Sequence, residues 1–584
     1  MNLFLGGIER KQNPFAPNQT GFHALSGFHL NETGALTKWG GFSQTIFGAT
    51  MPQIVEALVP AEIIGAFNFI LVAGAPQLIV ATRNALYKKS GSSWILMASF
   101  AGAPIDRVSF VKQLEILYIA ANGNNLKYDG VTVSTNGVAA PTVAPTLSPG
   151  VLGLGALTGA YSYKVTFLDA LGNESNPSPA SVTLNVALQN ITLALIQAVP
   201  PGSVTMRVYR TTTGGGVYLF LAQVPVNTIV TDSSPDSSLG IAVENSANGV
   251  PPNSDILSSD NGVVLYAKTG SITVSYSAQG LPSAVHPADH AVLVSSDDEQ
   301  QSTITGIREL RGLVCVFKND SIWNFSVSEV GDVRHHRQVS SVGSVNHNGI
   351  VRIPGQYRLI FPSENGFYSY DGLTEQYISK PIEPIYQGLN PTRLKFMSGI
   401  AYEKLRCAIW AVSTGASSTN DLAICYFWDQ DAWTTRPLPK GASFLMALED
   451  ATSVETFVAG GYDGFLRQGD SGESDDGEVM PCEFVPLNVS QYMFSDTIKS
   501  FYEVSLFWQR GNAAIFNVSL ALNDPQGIYY PVGTINTANA DTFLRCRFNL
   551  QGKRAYLKVS HAQIGTQPVL RGWELKWTDT GRVV

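Results

Sequence analysis

The chain has 584 residues, of which 44% are apolar and only 14% charged, with 54 glycines and 31 prolines. That length exceeds one ordinary core, so about three or four domains are expected, and this balance favours short strands and tight turns over amphipathic helices. A formal net charge of −8 excludes a basic, sequence-reading nucleic-acid surface, while leaving room for a wall past which DNA slides without being held.

The opening residues, MNLFLGGIERKQNPFAPNQ, carry neither a basic n-region nor a sustained apolar stretch, so no signal peptide is expected. Ile63 to Thr82 is the most membrane-like run, but Asn68, Gly74, Pro76 and Gln77 interrupt it. Two buried strands around a turn account for it better than a bilayer span, and a soluble chain without membrane contact is expected.

After Phe42 the chain settles into a rhythm of apolar strand, Gly/Asn/Asp turn and aromatic strand. FNFILVAG leads to QLIVATRNALYKKSGSSWILMA, and VSFVKQLEILYIAANGNNLKYDG repeats the layout. AAPTVAPTLSPG then reads as an interdomain linker. From about Ala156 to Ala247 a different unit follows, in which Tyr161, Tyr163, Val165 and Phe167 alternate onto one face. With its Asn-Pro-Ser-Pro corner and the YRTTTGGGVYLFLA hairpin it reads as a β-sandwich resembling a fibronectin type III module.

The first rhythm resumes after NGVPPNSDIL and runs to the acidic junction SGESDDGEV, Ser471 to Val479. Repeated meanders that cannot bury both faces alone are the pattern of β-propeller blades. At about 40–50 residues per blade the two stretches hold roughly seven, with six or eight admissible. The expected division is therefore 1–42, an arm whose strands close the propeller; 43–140, first blades; 141–250, the inserted sandwich; 251–478, remaining blades; and 479–584, a C-terminal β-sandwich. The fold class is all-β.

One device recurs. Tyr-Asp-Gly stands at Tyr128–Gly130, Tyr370–Gly372 and Tyr462–Gly464. Asp-Gly suits the two central positions of a type I′ hairpin turn, and the tyrosines, with Tyr368 and Tyr377, suit packing of blade on blade more than a sugar-stacking platform.

No phosphate loop, HExxH or GxSxG is present. His286 and His290 stand four apart but enter a strand, so a metal pair is not expected, and His335-His336 reads as an exposed loop. Asp297, Asp298, Glu299, Asp475 and Asp476 read as solvated loop charges. Five scattered cysteines (Cys315, Cys407, Cys425, Cys482, Cys546) fit buried thiols in a reducing compartment. No catalytic, cofactor-binding or metal-binding residue is assigned, and no cofactor is expected.

The segment LGGIERKQNPFAPNQTGFHALSGFHLNETGALTKWGGFSQ, the later SENGFYSYDGLTEQYISKPIEPIY, and the YSYKVTFLDALGNESNPSPA and RVYRTTTGGG stretches are together similar to the tail hub or nozzle proteins of short-tailed bacteriophages, the packaged-DNA stabilisation proteins. The resemblance implies a non-enzymatic virion tail component, made in the host cytoplasm, that forms a homo-oligomeric ring of about six copies. The ring would extend the DNA channel below the portal and adaptor, meet distal tail or fibre proteins, retain packaged DNA and pass it at ejection. Trp428, Trp433, Tyr386 and Phe367 are candidates for contacts between copies. Two rival readings are a carbohydrate-binding or glycan-cleaving propeller and a generic propeller scaffold.

Overall fold

The computed structural model describes residues 22–582, apart from 32–34, 47, 73, 122, 196, 245–246, 287, 295–301, 330, 338–340, 450–454, 487–496, 510–512, 525 and 539–542. The chain is all-β. Among the described residues the one α-helix is the five-residue Glu383–Gln387, and no helix there is long and apolar enough to cross a membrane.

Seven groups of strands are antiparallel meanders lying side by side in chain order, six of them separate sheets and one, VI, the first four strands of a nine-stranded sheet. Sheet I comprises Ile63–Phe69, Gln77–Thr82, Ala85–Ser90 and Ser93–Ser99. Sheet II comprises Ser109–Gln113, Ile116–Ala121, Asn124–Tyr128 and Val133–Thr135. Sheet III comprises Ile256–Asp260, Val263–Ala267, Thr273–Tyr276 and Ala291–Leu293. Sheet IV comprises Ile304–Leu310, Leu313–Lys318, Ile322–Val327 and Val333–Arg337. Sheet V comprises Val351–Arg352, Leu359–Ser363, Gly366–Tyr370 and Glu375–Tyr377. Sheet VI comprises Ser398–Tyr402, Cys407–Val412, Leu422–Phe427 and Ala432–Pro437. Sheet VII comprises Phe444–Glu449, Glu455–Gly460 and Leu466–Gln468, and Ser43 pairs with its last strand through reciprocal backbone bonds to Gln468 of 2.9 and 2.7 Å.

The second strands explain the continuous apolar runs in the sequence. Val263–Ala267 and Cys407–Val412 are buried along their whole length, because both faces of each sheet are covered by neighbouring sheets. Every sheet meets the next. The Phe67 and Phe110 rings join I to II at 5.7 Å, and Ser109 Oγ accepts the Leu257 amide between II and III at 3.0 Å. Gly270 N–H donates to Ile304 O between III and IV, and Arg308 Nε to Ile350 O between IV and V at 3.0 Å. Trp410 Nε1 donates to Gly349 O between VI and the loop leading into V, and Ser398 Oγ accepts the Leu445 amide between VI and VII. Ser443 Oγ, beside VII, donates to Ile63 O of I. Close approach fixes some residues: a Cβ on Gly306 would come 2.5 Å from Ile350 Cδ1, and one on Gly399 would strike Trp410 and Val351.

Between sheets II and III lies a separate two-layered unit. Tyr163–Asp169, Ser203–Thr211 and Tyr218–Pro225 form one layer, and Thr146–Pro149, Ile191–Ala194 and Val230–Asp232 form a second sheet. Tyr161, Tyr163, Val165 and Phe167 share its core with Ile191, Leu193, Met206 and Val208. A buried Arg210 is held by Asp232 at 2.7 Å and Asp236 at 2.6 Å, so its charge is paired where solvation is lost.

The C-terminal strands build two further layers. Thr497–Trp508 runs between Phe543–Gly552 and Val569–Arg582, and Ala555–His561 between Cys482–Pro486 and Ile515–Leu522. Phe501, Val504, Leu506, Phe516, Val518, Leu557 and Trp573 fill the space between them. The arm expected to close the propeller is divided. Phe22–Ser26 lies between Ala432–Pro437 of sheet VI, which it meets in parallel at Ser26 and Thr435, and Cys482–Pro486, so it joins sheet VI to a C-terminal layer, while Leu36–Lys38 pairs with Val569–Arg582. Ser43, the residue after the arm, adds to sheet VII, and residues 1–21 lie outside the described residues.

Candidate functional site

The first strands of sheets II to VII converge on one cavity of about 440 Å³. Its wall includes Ser109 of II, Ser258 and Ser259 of III, Arg308 and Glu309 of IV, Arg352 of V, Ile400 of VI and Ala447 of VII. Two of these charges cancel, since Arg352 and Glu309 form an ion pair. Asp260 stands close enough to Glu309 that burial, with that neighbouring charge, raises its carboxyl above the usual range. Arg308 is different. Its Nε bonds Ile350 O, no carboxylate pairs with it among the described residues, and burial pulls its pKa down to about 10. His347 lies near it, buried and held well below the ordinary imidazole value by desolvation and then by the Arg308 and Arg107 charges.

A second pocket, of about 380 Å³, is walled by Tyr368, Tyr377, Tyr386, Glu364, Asn365, Glu383 and Gln387. It adjoins the Tyr-Asp-Gly device, whose geometry differs from the expected type I′ turn. The turn spans Asp371 to Thr374, and Gly372, at φ 97°, takes the left-handed region without Asp371. Asp371 Oδ1 accepts the amides of Leu373 and Thr374 at 2.8 and 2.7 Å, and Thr374 Oγ1 donates to Oδ2. Asp129 does the same for Val131 and Thr132, at 2.8 and 2.7 Å.

The tyrosines of this device reach into the preceding sheet. Tyr370 OH lies 3.1 Å from Asn324 Oδ1 of sheet IV and 2.9 Å from Gly372 O. Tyr128 OH lies 2.6 Å from Gln77 Oε1 of sheet I and accepts from Lys88 at 3.0 Å. Tyr462 OH accepts the Asn420 amide at 3.0 Å. The braced turns hold Val131 and Leu373 outward, 80% and 72% exposed. Exposed apolar residues stand on the turns near Val131. Ile70 O accepts Lys112 Nζ, Glu115 accepts the Val72 amide at 2.7 Å, and Gln77 bonds Gly130 O, so the loop carrying Ile70 and Val72 (91% exposed) is tied to the strands and turns that carry Leu114 and Val131.

Several residues singled out in the sequence lie elsewhere than expected. Phe367, Tyr386, Trp428 and Trp433 are buried. The Phe367 ring stands 4.5 Å from Trp410, 5.2 Å from Tyr386 and 5.3 Å from Trp433, so these aromatics hold the core together and do not face a partner. Asp475 is likewise buried rather than solvated, and Asp476 pairs with Arg467 at 2.8 Å. Asp475 shares the interior with Arg436, whose guanidinium sits 4.4 Å from the Phe42 ring and 5.4 Å from Trp39. His335 is in a strand, stacked on Trp323. His290 stacks on Tyr276 at 4.7 Å, and no group of three metal-binding side chains occurs among the described residues. All five cysteines are buried and free. Asp297, Asp298 and Glu299 lie outside the described residues.

No family model and no curated protein matches the chain. Solved structures give only faint likenesses. The computationally designed Ika8 protein has a TM-score of 0.31 at 10% identity, covering 70% of this chain and 96% of its own. BBS1N in complex with ARL6DN gives 0.26 at 10% identity, over 70% and 92%. Hsv2 of Kluyvelomyces marxianus gives 0.22 at 8% identity, over 65% and 97%. Likenesses of this size carry no argument about fold or function.

Sequence reasoning missed Arg308 entirely. GIRELRG reads as a strand and a turn, and nothing in it says that one arginine faces a cavity while its neighbour Glu309 finds Arg352. An adjacent arginine and glutamate near the end of an otherwise apolar and hydroxylic strand were the available signal.

Proposed function

We propose that the seven meanders are the blades of a β-propeller, and that the chain is a structural tail component of the hub or nozzle class, assembling into a ring around a DNA channel. The order in which each sheet meets the next, with VII meeting I and Ser43 joining VII, supports the circular reading. The observation that carries assembly is the exposure of Ile70, Val72, Leu114 and Val131 on turns tied to one another. These turns are braced by carboxylate-to-amide bonds that hold apolar side chains in water, where they would cost free energy unless covered by another chain. A cyclic assembly needs heterologous contacts, one face of each copy against a different face of the next.

DNA would run between copies, not through one. A cavity of about 440 Å³ has the size of a small-molecule pocket and cannot thread a duplex. Native mass spectrometry of the purified chain tests the reading: a closed oligomer of about six copies is expected, and a strict monomer at micromolar concentration overturns it. In the assembling case, Val72→Asp with Val131→Asp leaves a folded monomer.

One observation favours a second reading. Tyr368 and Tyr377 are half-buried beside Glu364, Asn365, Glu383 and Gln387 in a pocket of about 380 Å³, and aromatic faces with carboxylates and amides are the groups that hold a sugar. A glycan array probed with wild-type protein and with Tyr377→Ala tests it. Wild-type binding lost in the variant supports a glycan-binding propeller, and an empty array excludes it for the glycans displayed.

A further inference from the structure

We propose that the cavity between the first strands binds a small oxyanion, a phosphate or carboxylate group, on the guanidinium of Arg308. Three observations lead there. Arg308 lines the cavity of about 440 Å³ and commits only Nε, to Ile350 O at 3.0 Å. Its terminal nitrogens therefore keep a planar fork of N–H donors for which the described residues offer no acceptor, the geometry that grips a carboxylate or phosphate with two parallel bonds.

The second observation is charge. Of the cavity's other ions, Arg352 and Glu309 neutralise one another. Arg107, which shares the space around His347 with Arg308, has Asp255 and Asp106 close by. His347 is held well below the ordinary imidazole value by burial and then by the two arginine charges, and its Nδ1 accepts the Ile307 amide. Asp260, outside the cavity's lining, has its carboxyl raised by burial and by the Glu309 charge, and Arg308 forms no ion pair among the described residues. The third observation is environment. The rest of the wall carries no charge: it is apolar, as at Leu257, Ile307 and Ile350, with the three serines Ser109, Ser258 and Ser259. A cation set in such a wall is poorly solvated, and an anion that enters recovers both the Coulomb energy and the missing hydrogen bonds. The site is independent of the tail reading, since any propeller with this wall would carry it.

Isothermal titration of the full chain with sodium phosphate, and separately with sodium acetate, at pH 7 and low salt tests the proposal. The expected result is saturable binding of one anion per chain. Phosphate alone would indicate a phosphorylated ligand, and acetate as well a carboxylated one. Arg308→Met should weaken binding at least tenfold. Arg308→Lys, which keeps the charge and loses the fork, should weaken it about fivefold and decides the matter if the Met variant fails to fold. No saturable heat with either anion, or wild-type affinity in whichever variant folds, overturns the proposal.

Discussion

Asp371 shows how a charged side chain can serve backbone geometry. The Thr374 amide foremost, then that of Leu373, hold its carboxyl below the ordinary carboxylate range against the cost of burial. Because the folded value is depressed, the stabilisation is present above about pH 4 and disappears as pH falls through the folded value. Asp371→Ala should therefore lower stability at pH 7 by about 1 kcal/mol, and urea unfolding should show the gap closing at pH 3. Tyr370 makes the complementary contribution. Its hydroxyl is buried between Gly372 O and Asn324, so Tyr370→Phe strands an acceptor and should cost about 1–2 kcal/mol. The sequence held the Asp-Gly pair and the tyrosine, but not which residue takes the positive φ. That depends on whether two or four residues close the hairpin, which the pattern leaves open.

At the scale of elements, strand rhythm was legible because it follows from burial. Cys407–Val412 and Val263–Ala267 are apolar throughout since each lies between two sheets. Partner choice was not legible. Phe22–Ser26 and Leu36–Lys38 look like any short strands, and only tertiary pairing places the first between Ala432–Pro437 and Cys482–Pro486 and the second against Leu570. Phe367 and Trp433 were misread for the same reason, as one-dimensional pattern cannot separate an inward aromatic from an outward one.

The hairpin Val55–Glu56/Val59–Pro60 was also hidden, because its turn residues Ala57 and Leu58 both adopt positive φ, 47° and 67°, where Asn-Gly would be the usual choice. Leu58 is 96% exposed at its tip, and strain of this kind persists where a side chain has a task. Replacing the pair by Asn-Gly should stabilise the chain by about 1–2 kcal/mol in thermal unfolding and weaken its assembly. Weaker folding with unchanged assembly would contradict this.

The whole molecule should be sensitive to mild acid. His29 and His347 are buried, and desolvation takes the former down to about 4 and the latter well below its ordinary value. With folded values below the unfolded value of about 6.5, the unfolded chain takes up more protons as pH drops. Stability should fall by roughly 2 kcal/mol for each of the two between pH 7.5 and 5, read from urea midpoints, and a flat profile would contradict neutral burial.

Circular order and exposed apolar turn residues are properties of the whole chain, and they underlie the proposed ring. Single-particle electron microscopy of the purified protein tests that claim most directly. The account predicts rotationally symmetric rings around an open lumen, each subunit a disc of seven blades bearing two sandwich lobes. Isolated particles at every concentration, or subunits whose sheets do not close into a disc, would contradict it.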